Sequence, residues 1–182
     1  VSNIPLLDYL YEKKARVTVF DNKKIDDIPK EILDKKIKEE VTSGVQTLQY
    51  QINTLMTTNG RSPLVSLFMY LREDDEYIKE NALIIEEILK QRIEGMKDAE
   101  GKYINPEFPK LIYVIDENNC LNGEKYDYLT HLALECANKT QEPSFISAKK
   151  MRENYSGNVF SPMGFRSFLT PWKDENGTYK FE

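Results

Sequence analysis

Glycine and histidine are scarce in this chain, at 8 and 1 of 182 residues. So few glycines leave little material for phosphate-cradling loops, and neither a Walker loop nor a G-x-G-x-x-G fingerprint occurs. The lone histidine, His131, falls inside a predicted helix beside Leu132, where a partly buried, satisfied imidazole is expected. No nucleophile–histidine–acid triad can be assembled around it. Cys120 and Cys136 are the only cysteines, and neither has a second Cys or His at metal-ligand spacing. Both are expected as buried free thiols, and no metal site is expected. A positive charge excess is also missing. Lys plus Arg total 25 against 30 Asp plus Glu, a net charge of −5. That argues against a general binder of nucleic acid or anionic membrane, since both need a positive field. No apolar run reaches membrane length and no signal peptide opens the chain, so a cytoplasmic protein is expected. The sequons at Asn138, Asn154 and Asn176 read as chance matches in a chain rich in Asn, Ser and Thr. A first residue Val1 rather than Met suggests a fragment or a processed product.

What is present is a 40% hydrophobic chain with strong periodicity, long enough for one domain or part of one. Residues 1–28 read as an irregular lead-in with a short possible strand at 17–20. The mixed charges of 21–40 read as a solvated helix face. Over 29–56, Leu33, Ile37, Val41, Val45, Leu48, Ile52 and Leu55 step by four and three, which predicts a long amphipathic helix with Pro29 near its first turn. Asn59-Gly60 follows as a stop signal. The apolar run 64–71 predicts a buried strand. The acidic turn Glu73-Asp-Asp-Glu76 then opens a second amphipathic helix through Ile78, Ala82, Ile85, Leu89, Ile93 and Met96. Residues 111–115 are a further buried strand candidate. Helices are predicted at about 125–138 and 147–155, and a last short strand at 166–170. The order helix–strand–helix–strand–helix–helix–loop–strand implies an α/β architecture with mainly parallel strands.

Few constellations carry chemistry. Asp74, Asp75 and Glu76 suit the positive end of a helix better than a catalytic carboxylate pair. Asn53 and Thr54 stand near a helix end, where polar side chains cap or bridge to a neighbouring loop. Cys136 in Leu134-Glu-Cys-Ala137 suits a core thiol. In the loop Gly157-Asn-Val-Phe-Ser-Pro-Met-Gly164, Gly and Pro shape a turn. Arg166 and Ser167 just beyond it could hold an anionic or hydroxylated ligand. Ligand contact and ordinary turn chemistry both remain open there.

The same segments, in order, resemble the anaerobic ribonucleoside-triphosphate reductases, a glycyl-radical enzyme family. The matching blocks are residues 44–63, Phe108-Pro-Lys-Leu-Ile-Tyr-Val-Ile115, Leu132-Ala-Leu-Glu-Cys-Ala137 with Pro143 and Ile146-Ser147, and Gly157-Asn-Val-Phe-Ser-Pro-Met-Gly-Phe-Arg-Ser-Phe-Leu169. The resemblance implies a single partial domain over 1–182. That domain would be a segment of a ten-stranded α/β barrel, with long amphipathic helices, ending just after the finger loop that enters the barrel. In the family, the finger tip is a cysteine; here Phe165 stands in its place.

The family chemistry starts at an activase that uses S-adenosylmethionine and an iron–sulfur cluster to make a glycyl radical. That radical oxidises the finger cysteine, and the resulting thiyl takes the 3′ hydrogen of a ribonucleoside triphosphate. Water leaves C2′, and formate or a redoxin completes the reduction. By this resemblance Met163, Gly164, Arg166 and Ser167 would line the nucleotide site, with Asn53 a further substrate contact. Arg166 could instead hold the finger. No catalytic residue is intact, because an S–H bond can exchange hydrogen with glycine and ribose whereas a phenyl ring cannot. The glycyl radical, a structural zinc and ATP or dNTP effectors would lie outside this chain or have no place assigned in it. A homodimer is implied for the full-length protein. Three readings stand: a reductase fragment inactive alone, a non-catalytic relative that binds nucleotide or a partner subunit, and an unrelated small α/β enzyme or binding module.

Overall fold

A computed structural model describes residues 29–55, 60, 64–97, 100–120, 122–162, 171–173, 176 and 179–181. The strands expected at 17–20 and 166–170 lie outside the described residues, as do Met163, Gly164, Phe165, Arg166 and Ser167. The chain divides into two compact units, Val1–Tyr50 and Gln51–Glu182.

The described part of the first unit belongs to helix α1, Lys30–Thr54, whose last turn lies in the second unit. Its start follows from sequence. Pro29 cannot donate, but its carbonyl accepts the N–H groups of Ile32 and Leu33, and Glu31 places negative charge on the first turn. Val41 and Val45 are buried along the expected apolar stripe, and Gln49 joins them. Leu55, expected at the end of that stripe, is exposed because the helix has stopped at Thr54.

The second unit is built on a three-stranded parallel sheet ordered β1 (Ser66–Met69), β4 (Lys110–Ile115), β5 (Ser144–Ser147). Parallel neighbours need crossovers, and helices supply them. Helix α2 (Ile78–Glu94) lies between β1 and β4 in the chain. Helix α4 (Asp127–Thr140) lies between β4 and β5, and it packs against α2. The central strand β4 reads Lys-Leu-Ile-Tyr-Val-Ile, and Leu111, Ile112, Tyr113 and Val114 are all buried. A strand covered on both faces needs such an unbroken apolar run. Tyr113 faces α4, where its hydroxyl meets Thr130 Oγ1 at 3.0 Å, and burial pushes its pKa up to about 12. Phe68 and Tyr70 point to the opposite face, with Ile112 and Val114.

Smaller elements fill the connections. An antiparallel pair, β2 (Met96–Lys97) and β3 (Tyr103–Ile104), sits between α2 and β4. Gly95 makes the turn into it at φ 85°, and a Cβ there would come within 2.8 Å of the Ile104 carbonyl oxygen, so only glycine fits. The short helix α3 (Glu117–Cys120) follows β4, and α5 (Ala148–Asn154) follows β5. A last antiparallel pair joins β6 (Pro171–Lys173) to β7 (Tyr179–Phe181).

Several sequence expectations need correction. The two helices expected in succession are separated by strand β5. The acidic turn does not belong to α2, which begins at Ile78. Asp75 nonetheless serves the helix start, accepting from Tyr77 N at 2.9 Å and from Asn81 Nδ2 at 2.8 Å. Asp74 pairs with Arg72 on the surface instead. His131 is exposed rather than partly buried. Both cysteines are free thiols, but only Cys136 is buried, and Cys120 is exposed at the end of α3.

The amino end of the sheet is held by one buried and one half-buried polar side chain. Arg92 is 2% exposed and donates to the carbonyls of Pro106 and Pro109, just before β4. Burial lowers its pKa, an effect opposed by the nearby Glu142 carboxylate. Glu142 in turn accepts the Leu111 N–H at 2.7 Å. Replacing Arg92 strands two buried acceptors, each worth ~1–3 kcal/mol, while relieving the cost of burying a charge. Arg92→Met is therefore expected to lower unfolding free energy by about 2 kcal/mol in urea titration. An unchanged midpoint would refute this role.

Candidate functional site

Parallel α/β sheets present their chemistry where strands end, because the loops there diverge and backbone groups are left open. Three side chains converge at that rim. Tyr70 directly follows β1, Asp116 directly follows β4, and Arg152 lies on α5, the helix that continues from β5. Arg152 grips Asp116 with both arms of its guanidinium: Nη1 donates to Oδ2 at 2.9 Å and Nη2 donates to Oδ1. The Tyr70 hydroxyl donates to Asp116 Oδ2 at 3.2 Å, and Arg152 Nη1 reaches the same hydroxyl at 3.3 Å. The Asp116 side chain is 10% exposed and that of Arg152 36%.

Asp116 also starts α3. Its Oδ1 accepts from Glu117 N at 2.9 Å, while Asn119 Oδ1 accepts the Asp116 N–H at 2.9 Å. This reciprocal arrangement has the logic of a capping box. Asn119 Nδ2 donates to Val114 O, and Asn118 Nδ2 donates across to Leu71 O at 2.9 Å. The exits of β1 and β4 are thus laced together by α3, and Arg152 adds the exit of β5. Asn118 Oδ1 is a buried acceptor without a partner among the described residues.

The electrostatics favour holding over proton transfer. Arg152 keeps the Asp116 carboxyl below the usual carboxylate range, and Asp116 raises the pKa of Arg152. Burial, and then the Asp116 charge, raise the Tyr70 pKa. At neutral pH all three stay in the protonation states that bind one another.

Beyond Arg152 the chain runs toward the expected finger. Gly157 N donates to Arg152 O at 2.8 Å, across Ser156 in the left-handed region at φ 52°. Asn158 N and Asn158 Nδ2 both donate to Tyr155 O, and the Tyr155 and Phe160 rings meet edge-on with centroids 5.0 Å apart. Met163, Gly164, Phe165, Arg166 and Ser167 are outside the described residues. Asn53 stands at the other end of β4. Its Nδ2 donates to Phe108 O at 3.0 Å and approaches Met96 Sδ at 3.7 Å, the bridge to a neighbouring loop that its position at a helix end suggests. Asn53 is therefore not brought to the rim with Tyr70, Asp116 and Arg152. None of those three was singled out in the sequence. Asp116 could have been, as the first polar residue after a buried parallel strand.

Among the described residues no group of three or more His, Cys, Asp or Glu is placed to hold a metal. Two cysteines cannot supply the four-cysteine zinc site that the resemblance implies, so no zinc role is assigned to this chain. No helix among the described residues is long and apolar enough to cross a membrane.

The fold and rim define an α/β protein organised on a parallel sheet with a polar cluster at its carboxyl edge. The family model for anaerobic ribonucleoside-triphosphate reductase matches residues 8–182, and the chain belongs to that family. It is 38% identical over 144 residues to the anaerobic ribonucleoside-triphosphate reductase of Enterobacteria phage T4, covering 78% of this chain and 23% of that protein. The reductase of Escherichia coli (strain K12) is 36% identical over 140 residues, 76% of this chain and 18% of its own length. That of Salmonella typhimurium (strain LT2) is 34% identical over 144 residues, covering 78% and 19% respectively. The chain thus spans roughly a fifth of the length of the curated relatives it matches.

The Asp116 pKa is depressed in the folded protein, so its contribution to stability is fully present above the unfolded carboxylate pKa of ~3.9 and fades as pH falls through the folded value. Asp116→Asn is expected to cost about 1.5–3 kcal/mol at neutral pH. The gap from the parent should hold from about pH 5 to 8 and close below about pH 4. A gap independent of pH in denaturant titrations would contradict the ion-pair assignment.

Proposed function

We propose that this chain is a segment of the catalytic subunit of an anaerobic ribonucleoside-triphosphate reductase, which converts ribonucleoside triphosphates to 2′-deoxyribonucleoside triphosphates. The observation that carries this reading is the family match over residues 8–182, which takes in the run Ser161-Pro-Met-Gly-Phe-Arg-Ser-Phe-Leu169. On this reading the parallel sheet is part of the ten-stranded barrel, residues 1–182 form one partial domain, and 161–169 are the finger. Met163, Gly164, Arg166 and Ser167 line the nucleotide, with Ser167 as a hydrogen-bonding partner. Asn53 was grouped with them by resemblance, but its bond to Phe108 O favours a supporting role at the amino end of the sheet.

The partners on this reading are the nucleotide, a radical-generating activase and a second copy of the full-length subunit. The glycyl radical would supply the oxidising equivalent, and a sulfur at the finger tip would be needed to relay it to ribose. Phe165 offers no S–H bond. With Phe165 in place the chain is inactive. That same residue favours one second reading, a non-catalytic relative that keeps the nucleotide site or a subunit contact without turnover.

Phe165→Cys in the full-length polypeptide, with activase and either formate or a redoxin, is expected to produce deoxynucleotide where the parent produces none. Deoxynucleotide formation with Phe165 retained would refute the assignment of that position. Nucleotide binding by both proteins with turnover by neither would favour the non-catalytic relative.

A further inference from the structure

We propose that Arg152 is a positioning residue that fixes the path of residues 155–162 from the sheet rim into the finger run. Its bearing on the reaction rests on the reading of 161–169 as the finger, but the contacts themselves do not.

Helix α5 is only 7 residues long, far too short to hold itself. It is pinned at its start by Ser147 Oγ, which accepts from Lys150 N at 3.4 Å, and by the burial of Ala148 and Met151. Its last turn has another anchor, the two-armed bond from Arg152 to Asp116. A planar guanidinium held at two points fixes direction as well as distance, which an ammonium cannot do.

The backbone of the same residue begins the turn that follows. Arg152 O accepts the Gly157 N–H at 2.8 Å, with Ser156 at φ 52° between them, a six-to-one closure of Schellman type. Tyr155 N bonds to Met151 O and Asn158 N to Tyr155 O, so three amides of the stem are tied within one turn of Arg152. The Tyr155–Phe160 ring contact carries the order on to residue 160. One residue therefore joins the exit of β4, through its side chain, to the exit path of α5, through its carbonyl. Tyr70 adds β1 to the same carboxylate.

If Arg152 only contributed general stability, its loss would loosen the whole unit. If it positions the stem, the loss is local. Hydrogen–deuterium exchange of the full-length protein with mass spectrometry separates these outcomes. In Arg152→Gln, peptides spanning 155–162 are expected to exchange about tenfold faster, while peptides from α4 and β4 change by less than about twofold. Arg152→Lys, which keeps the charge and loses the fork, is expected to fall between parent and Arg152→Gln. It also provides the measurement if the Gln variant does not fold. Unchanged exchange at 155–162, or equal acceleration in the stem, α4 and β4, overturns the proposal. The readout uses no turnover. Local acceleration without any reductase activity from Phe165→Cys would count against the catalytic reading alone and leave the anchor standing.

Discussion

Strand β4 is paired on both edges and buried on both faces, and the second unit is arranged around that constraint. Its apolar run can be satisfied only if β1 and β5 take up its backbone groups and neighbouring layers cover its side chains. Parallel pairing then fixes which ends meet. The entries of β1, β4 and β5 lie at one end and their exits at the other, so residues far apart in sequence arrive at the same rim. Tyr70, Asp116 and Arg152 meet for that reason alone.

The two ends of the sheet carry different chemistry. At the amino end, side chains serve backbone groups: half-buried Asn53 bonds to Phe108 O, buried Arg92 to the Pro106 and Pro109 carbonyls, and half-buried Glu142 to the Leu111 N–H. These contacts set where β4 begins. At the carboxyl end, Asn118 and Asn119 also serve backbone groups, but Tyr70, Asp116 and Arg152 bind one another, and Arg152 stays partly open to solvent. The amino end is thus a brace, and the carboxyl rim is where direction is imparted to the chain that leaves it. In sequence, the run carrying Phe165 begins nine residues after Arg152 of that rim, at Ser161.

The features legible in sequence were those with local periodicity. Helices α1 and α2 follow from apolar residues stepping by four and three, and β4 from an unbroken apolar run. Strand β5 escaped because Ser144-Phe-Ile-Ser147 is four residues long, carries two serines and sits at a sheet edge. Its length and composition resemble a loop until β4 supplies the partner. The ion pair of Asp116 with Arg152 escaped for another reason: it joins residues 36 positions apart, and no spacing rule reaches so far. The exposure of His131 and Cys120 depends on which way α4 and α3 face, which neither a helical position beside Leu132 nor the thiol itself fixes. The finger assignment rests on resemblance, and residues 163–169 lie outside the described residues.

The most direct measurement of this account is native-state amide exchange across the unit, resolved to single residues by NMR. If β4 is the constraint on which the sheet depends, the amides of Leu111, Ile112, Tyr113 and Val114 are among the slowest to exchange and open only with global unfolding. The turn at 73–77, outside the sheet, exchanges much faster. Exchange in β4 as fast as in that turn, with α2 and α4 still protected, would contradict the account.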